Sequence, residues 1–516
     1  MFARTCGIAA AFSLFVSASA HAALTCNDVK AALAGAVVDL DCFDSTDLTT
    51  NGPRTTPVDN AVPPGTPPGT PPLPPFAFTP QTDRNVISPK AGDRTPITKA
   101  VPGIQLNGRI ASDPLGQARF LLRLPADWNG RLVVAGASGT RSEYNGDFAW
   151  SDYVVQQGYA YASQNKGTLN LRLLGVFLTP AAAAAVDPLA CRLAPPPVAT
   201  SVVWVHFYDN DPGQEFTRWA QFMIQAGHLA QTGVLAAYDR PARFTYAVGT
   251  SNGGYQVRRA VELAPKVFDG GVDWEGTFVQ EATPNLLTDL PPAIKNYAPY
   301  AAGGFDTNSA AAQNIRAAGY PPDIVVGTAS FWGNHNTQFW EVTQCQWQKR
   351  LDPSYDTYGP AGTGTGDYNY VARLSVSDVG AQMAAFANTG AIQRPLVTVQ
   401  GTMDALLPIN HHARAYARLV ADRAKAQRNN GLGADDLRTA YRLYEVQNGN
   451  HIETYRDTFS QLEYIEPHAQ RAFDVLVDSV ERNIPMPPSQ CIARSGHISA
   501  TPAASQLGHC ANLFVP

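Results

Sequence analysis

The sequence predicts an α/β fold: a mainly parallel sheet with helices on both faces and an inserted lid. Three observations carry this. Short apolar runs alternate with helical periodicities between residues 131 and 276. The same alternation returns between 394 and 483. Between the two blocks, 277–390 is rich in Gly, Pro, Asn and aromatic residues and follows neither period. Strand–helix–strand order with short links is the pattern of parallel strands joined by crossover helices.

The N-terminus predicts export. Arg4 precedes the apolar run "GIAAAFSLFVSASA" (7–20), and Ala20-His21-Ala22 is a small-x-small cleavage site. Residues 1–22 therefore read as a secretory signal peptide, and the mature chain as secreted or periplasmic. No later run offers the ~20 apolar residues needed to cross lipid, so no membrane partner is expected after its removal. With 16% charged residues and a net charge of −5, the chain lacks a nucleic-acid footprint. An exported chain favours disulfides. Once Cys6 leaves with the signal, the expected pairs are Cys26–Cys42 and Cys491–Cys510, leaving Cys191–Cys345. No Cys/His spacing suggests a metal site.

Residues 23–99 read as a cysteine-flanked helical segment (27–42) followed by a proline-rich extended arm (62–80). The first part of the core, 100–276, opens with the alternating strands "GIQLNGRIAS" and "ARFLLRLPADWNG". Buried strands follow at "RLVVAGASGT" (131–140) and "QGYAYASQNKGT" (157–168), then a helix over 213–238. A strand (242–250), a helix (253–264) and a strand (266–276) complete it. After the lid, the second part of the core (391–516) supplies a strand (394–401), a helix (411–429), a strand (439–448) and a helix (468–483).

Chemistry concentrates at the ends of these strands. "YAVGTSNGGYQVRRA" (246–260) places Ser251 between Gly249 and Gly253, where a strand turns into a helix. Glycines two before and two after let the backbone make a tight turn that exposes a nucleophile. A serine hydroxyl needs a base. In an α/β-hydrolase the acid and then the histidine follow in chain order, each after a strand. "RPLVTVQGTMDALLP" offers Asp404, and "TAYRLYEVQNGNHIE" offers His451. His335, His411 and His412 are rival bases. The oxyanion donors expected are the amide of Asn252 and one from Ala137, Ser138 or Gly139, with Ser138 favoured. Trp274 and Glu275 lie at the same sheet edge, as substrate contacts or, for Glu275, an alternative acid. Among the lid aromatics Phe331, Trp332, Phe339 and Trp340, Trp332 is taken as a substrate contact.

"LPADWNGRLVV", "GYAYASQNKGT" and "GTSNGGYQVRRAVELAPKVFDGGV" resemble the tannase/feruloyl esterase family of secreted α/β-hydrolases. That resemblance implies a triad of Ser251, Asp404 and His451. Thr250 and Ile452 stand where that family has a disulfide joining the serine and histidine loops, and no counterpart of its lid calcium site is found. "SNGG" is also similar to the nucleophile segment of 3-hydroxybutyrate oligomer hydrolases. The expectation is a serine carboxylic-ester hydrolase needing no cofactor. Its partner would be a small-molecule or oligomeric ester: an aromatic one (feruloyl, tannate or aromatic-polyester) by the first resemblance, with 3-hydroxyalkanoate esters, by the second, as the alternative. A serine peptidase and a non-catalytic exported binding protein are the other readings.

Overall fold

The computed structural model describes residues 25–53, 88–139, 142–168, 172–176, 178–193, 203–206, 216–358, 364–429 and 440–516. The expected signal peptide and the proline-rich stretch 62–80 lie outside them. Among the described residues ten strands form the main sheet. They are β1 (Val37–Ser45), β2 (Gly103–Ile110), β3 (Arg119–Pro125), β4 (Arg131–Gly136), β5 (Ala160–Gln164), β6 (Phe244–Thr250), β7 (Gly270–Trp274), β8 (Leu396–Gly401), β9 (Tyr441–Val446) and β10 (Gln490–Ile492). Their spatial order is β1-β2-β3-β5-β4-β6-β7-β8-β9-β10. The pairs β1/β2, β2/β3 and β3/β5 are antiparallel, and every later pair is parallel. This is the α/β-hydrolase sheet the sequence predicts, extended by a strand at each edge.

Helices cover both faces. Helices α1 (Cys26–Leu33), α2 (Thr217–Tyr238), α3 (Asn252–Leu263) and α6 (Ala413–Asn429) bury Leu33, Met223, Val257 and Tyr416 against Leu122 and Leu396. On the other face α7 (Glu466–Arg482) packs Phe473 and Leu476 with Tyr246, Val397 and Tyr444. The strands of this parallel block are apolar on both sides because both sides are covered.

The expected helix over 27–42 is half right. It stops at Leu33, Gly35 turns the chain at φ 79°, and Val37 begins a strand that joins the sheet edge. The β-branched Val37-Val38 pair fits a pleated surface better than a helix. The Cys26–Cys42 disulfide ties this helix to this strand. Cys491–Cys510 and Cys191–Cys345 also form as expected.

The insertion between β7 and β8 is largely helical and includes α4 (Leu286–Ala302) and α5 (Glu341–Leu351). Its core of Leu286, Tyr300, Trp332, Trp340 and Trp347 runs without a break into Met403, Leu406 and Ile452, beyond the strand ends. A second excursion, between β5 and α2, was not foreseen. Arg172–Val176, Cys191–Arg192 and Val203–His206 form a separate three-stranded antiparallel sheet. Strands of two to five residues are too short to show a period. The Cys191–Cys345 bridge joins this excursion to α5 across 154 residues of chain.

Candidate active site

Register delivers the candidate side chains to one sheet edge. Thr250 pairs with Trp274, Trp274 with Val399, and Gly401 with Val446. The residues that follow, including Ser251, Glu275, Asp404 and His451, emerge together at the carboxyl ends of the strands. Hydrogen bonds bind these ends side by side. Ser251 N donates to Trp274 O (2.9 Å), Glu275 N to Val399 O (2.8 Å), Thr402 N to Val446 O (3.0 Å) and Met403 N to Gly449 O (2.8 Å).

Ser251 occupies φ 60°, ψ −122°, a conformation side-chain-bearing residues rarely adopt. Such strain costs on the order of 1–3 kcal/mol and persists only when the surroundings impose it. Here they do. A Cβ on Gly249 would sit 2.5 Å from Gly253 O, and one on Gly253 would sit 2.5 Å from Gly136 O. Backbone therefore passes backbone at van der Waals limits on both sides of the serine. The Ser251 carbonyl accepts from Tyr255 N (3.0 Å) and Thr277 N (3.2 Å), which fixes the turn to α3 and to the loop after β7.

His451 Nδ1 lies 2.9 Å from Asp404 Oδ2. Asp404 is buried, and its oxygens accept from Leu406 N (2.8 Å), Leu407 N (2.7 Å) and Gln400 Nε2 (2.7 Å). Three donors and an imidazole thus converge on this carboxyl group and fix its orientation. Glu275 also faces His451, with Oε2 3.5 Å from Nδ1, while its Oε1 accepts from Gly401 N (3.0 Å). Burial, reinforced by the charge of Asp404, pushes the Glu275 carboxyl well above its ordinary range.

Ser251 and His451 line one cavity. Ser138, Gly139, Asn252 and Thr277 line its floor, and Thr277 Oγ1 donates to Asn252 Oδ1 (2.8 Å). The remaining walls are Leu286, Phe339, Val342, Thr343, Gln346, Trp347, Leu406, Leu407 and Ile452. The cavity is thus roofed by α4 and α5 and by the segment leading into α5.

Several expected residues stand elsewhere. Trp274 is buried in the core, edge-on to Trp150 at 6.2 Å, and does not line the cavity. Glu275 is also buried and touches His451 rather than the cavity. Trp332 belongs to the core of the insertion, tilted against Tyr300 and donating through Nε1 to Pro321 O (3.0 Å). The Ser138 amide is already spent on Asn145 Oδ1 (2.9 Å), which removes the favoured oxyanion donor. His411 Nδ1 lies 3.0 Å from Asp289 Oδ1, and His412 Nδ1 accepts from Phe278 N (3.0 Å), so neither rival is the base beside Asp404. His335 is held at Phe331 O (3.0 Å), and burial pushes it down to about 4. Of the four lid aromatics named above, Phe339 lines the cavity. Trp347, two positions after Cys345, was missed, although the disulfide to Cys191 marks its helix as fixed.

Strand order, strained serine turn and histidine–carboxylate pair define the class: an α/β-hydrolase. The model of the 3HB-oligomer hydrolase (3HBOH) family matches residues 368–513, a stretch that holds Asp404 and His451 but not Ser251. The chain is 32% identical over 137 residues to the D-(-)-3-hydroxybutyrate oligomer hydrolase of Burkholderia thailandensis, covering 25% of this chain and 18% of that protein. It is 30% identical over 131 residues to the corresponding enzyme of Ralstonia nicotianae, covering 24% and 16%. The chain spans less than a fifth of the length of these relatives. Among solved structures it is similar to feruloyl esterase B from Aspergillus oryzae (14% identity, TM-score 0.45, 78% of this chain and 86% of that one). It is also similar to the tannin acyl hydrolase from Aspergillus niger (14% identity, TM-score 0.44, 79% and 87%).

Proposed function

We propose that this protein is an exported serine hydrolase of carboxylic esters, with Ser251 as nucleophile, His451 as base and Asp404 as the orienting acid. The observation that carries the reading is the 2.9 Å His451–Asp404 pair opening onto the same cavity as Ser251 on its strained turn. Ser251 Oγ attacks the ester carbonyl as His451 Nε2 takes the hydroxyl proton. The tetrahedral oxyanion then collapses, and the alcohol leaves with the proton returned by His451. Water repeats the sequence on the acyl-enzyme and releases the acid. Asp404 holds the imidazole tautomer and faces the imidazolium charge throughout.

For the substrate, we favour aliphatic 3-hydroxyalkanoate oligoesters. The family match over 368–513 and the aliphatic side chains Leu286, Val342, Leu406, Leu407 and Ile452 in the cavity wall support this. Aromatic esters are the second reading, favoured by Phe339 and Trp347 in the same wall. The test is purified protein on a 3-hydroxybutyrate dimer and trimer, methyl ferulate, methyl gallate and a terephthalate monoester, beside Ser251→Ala. Turnover of the dimer and trimer, abolished in Ser251→Ala, is expected. A Ser251→Ala protein with undiminished turnover would sink the assignment. Turnover of the aromatic esters alone would select the second substrate reading.

A further inference from the structure

The loop after β5 carries a lysine that the chemistry above does not use. Lys166 is fully buried with φ 63°, and its backbone N–H donates to Gln164 Oε1 (2.5 Å). Its ammonium donates to Ala137 O (2.9 Å) and Ser138 O (2.7 Å) and lies 5.6 Å from the Trp219 ring centroid. These two carbonyls belong to the loop after β4, which borders the cavity beside Ser251. A buried ammonium is costly to desolvate. Here the ammonium sits against the loop that borders the cavity at Ser138 and Gly139.

The geometry of the peptide bond turns this contact into a consequence. In a trans peptide the C=O and the following N–H point in opposite directions. Drawing the Ala137 and Ser138 carbonyls toward Lys166 therefore turns the amides of Ser138 and Gly139 away from it. Asn145 Oδ1 takes the Ser138 amide (2.9 Å). That leaves the Gly139 amide, on a residue that lines the cavity with Ser251 and Asn252. A Cβ placed on Gly139 would meet nothing within 4 Å, so no neighbour crowds this side of the residue. Gln164 extends the tie, with Nε2 3.2 Å from Gln256 Oε1 on α3, so the lysine loop and the serine helix share one buried polar network.

We infer that Lys166 is the positioning residue of the oxyanion site: it orients the Gly139 amide as the second donor beside that of Asn252. The inference rests on the ester-hydrolase reading. It also replaces the donor the sequence favoured. Hydrogen bonds accepted by a peptide carbonyl polarise its own N–H, so the cation strengthens the donor it aims.

The experiment compares wild type, Lys166→Met and Lys166→Arg with p-nitrophenyl butyrate as substrate and a trifluoromethyl ketone as an inhibitor that forms a tetrahedral oxyanion on serine. Loss of one oxyanion donor costs about 100-fold or more in kcat, so Lys166→Met should lose about that factor with KM little changed. Affinity for the ketone should fall by a comparable factor, because the ketone samples the same oxyanion. Lys166→Arg, which keeps charge and donors, should recover most of the loss. A folded Lys166→Met protein with near wild-type kcat and ketone affinity would overturn the inference. Should that variant not fold, Lys166→Gln takes its place. If neither neutral variant folds, Lys166 belongs to stability alone and the inference also falls. Ser251→Ala in the same assay separates the two levels: full turnover there would bring down the ester-hydrolase reading itself, and the inference with it.

Discussion

Glu275 stands 3.5 Å from His451 Nδ1, the nitrogen that Asp404 meets at 2.9 Å. Two carboxyl groups thus face one imidazole, and their environments separate them. Asp404 accepts three further hydrogen bonds, two of them from backbone amides. Glu275 is held well above its ordinary range by burial and by the charge of Asp404. Burial and the neighbouring Asp404 thus favour the protonated form of Glu275, which sets the two carboxyls apart.

Removing the two carboxyls should therefore have unequal effects. Glu275→Gln keeps a neutral group of the same shape and should retain kcat within about fivefold, whereas Asp404→Asn should lose about 10³- to 10⁴-fold. The residual activity of Asp404→Asn should climb with pH as Glu275, no longer raised by the charge of Asp404, ionises and takes the vacated role. In Asp404→Asn/Glu275→Gln the climb should vanish. Profiles of kcat from pH 6 to 9 on the four proteins decide it, and identical profiles for the single and double variants would refute it.

The roof of the cavity depends on the Cys191–Cys345 bridge. Helix α5 presents Val342, Thr343, Gln346 and Trp347 to the cavity, and Arg192–Glu341 (2.7 Å), Lys349–Ala190 O (2.8 Å), Lys349–Pro188 O (3.0 Å) and Gln346–Leu189 O (3.3 Å) also tie it to the short-stranded excursion. Cys191→Ser/Cys345→Ser should lose about 2–4 kcal/mol, the usual range for a native disulfide. KM should rise for long substrates more than for p-nitrophenyl acetate, as read by thermal melts and steady-state kinetics. An equal change in KM for both substrates would disconnect the bridge from binding.

Trp332 and Phe339 are seven positions apart with different surroundings. Trp332 is buried among Tyr300, Pro321 and Asp323, so Trp332→Ala should cost about 3–5 kcal/mol while leaving KM of the folded fraction unchanged. Phe339 lines the cavity, so Phe339→Ala should shift relative kcat/KM among acyl groups with a smaller stability loss. Urea unfolding and an ester panel separate the two effects.

Glu466 offers a pH test remote from Ser251. Burial pushes its carboxyl to about 7, and its Oε2 has no hydrogen-bond partner among the described residues. Above pH about 4.5 the unfolded chain has released this proton while the folded chain keeps it, so stability falls as pH rises toward 7 and then levels off. Glu466→Gln should match wild type near pH 4.5 and exceed it by about 2–3 kcal/mol at pH 8. Urea midpoints across that range are the measurement, and a difference independent of pH would count against it.

Much of this site was legible because long periodic segments reveal their own boundaries. β6 and α3 framed Ser251 through two glycines that cannot carry a Cβ. β8 and β9 then pointed to Asp404 and His451 by position alone. What stayed hidden depended on contacts between distant segments. Whether Ser138 or Gly139 faces the cavity is decided by Lys166 and Asn145, residues of other loops. Whether Trp332 or Phe339 lines it is a matter of helix rotation in an insertion with no repeating pattern. The sequence predicts helix where the edge strand β1 forms, because Gly35 alone marks the change of period.

The chain of main-chain bonds from Ser251 through Trp274, Glu275 and Val399 to the loops of Asp404 and His451 has a consequence for heat inactivation. Loop-borne sites commonly fray before their scaffold melts. Here the serine, both carboxyls and the histidine are fastened to the ladder that holds the sheet itself. Activity and the sheet should therefore be lost in one transition, with no warmed, folded and idle species in between.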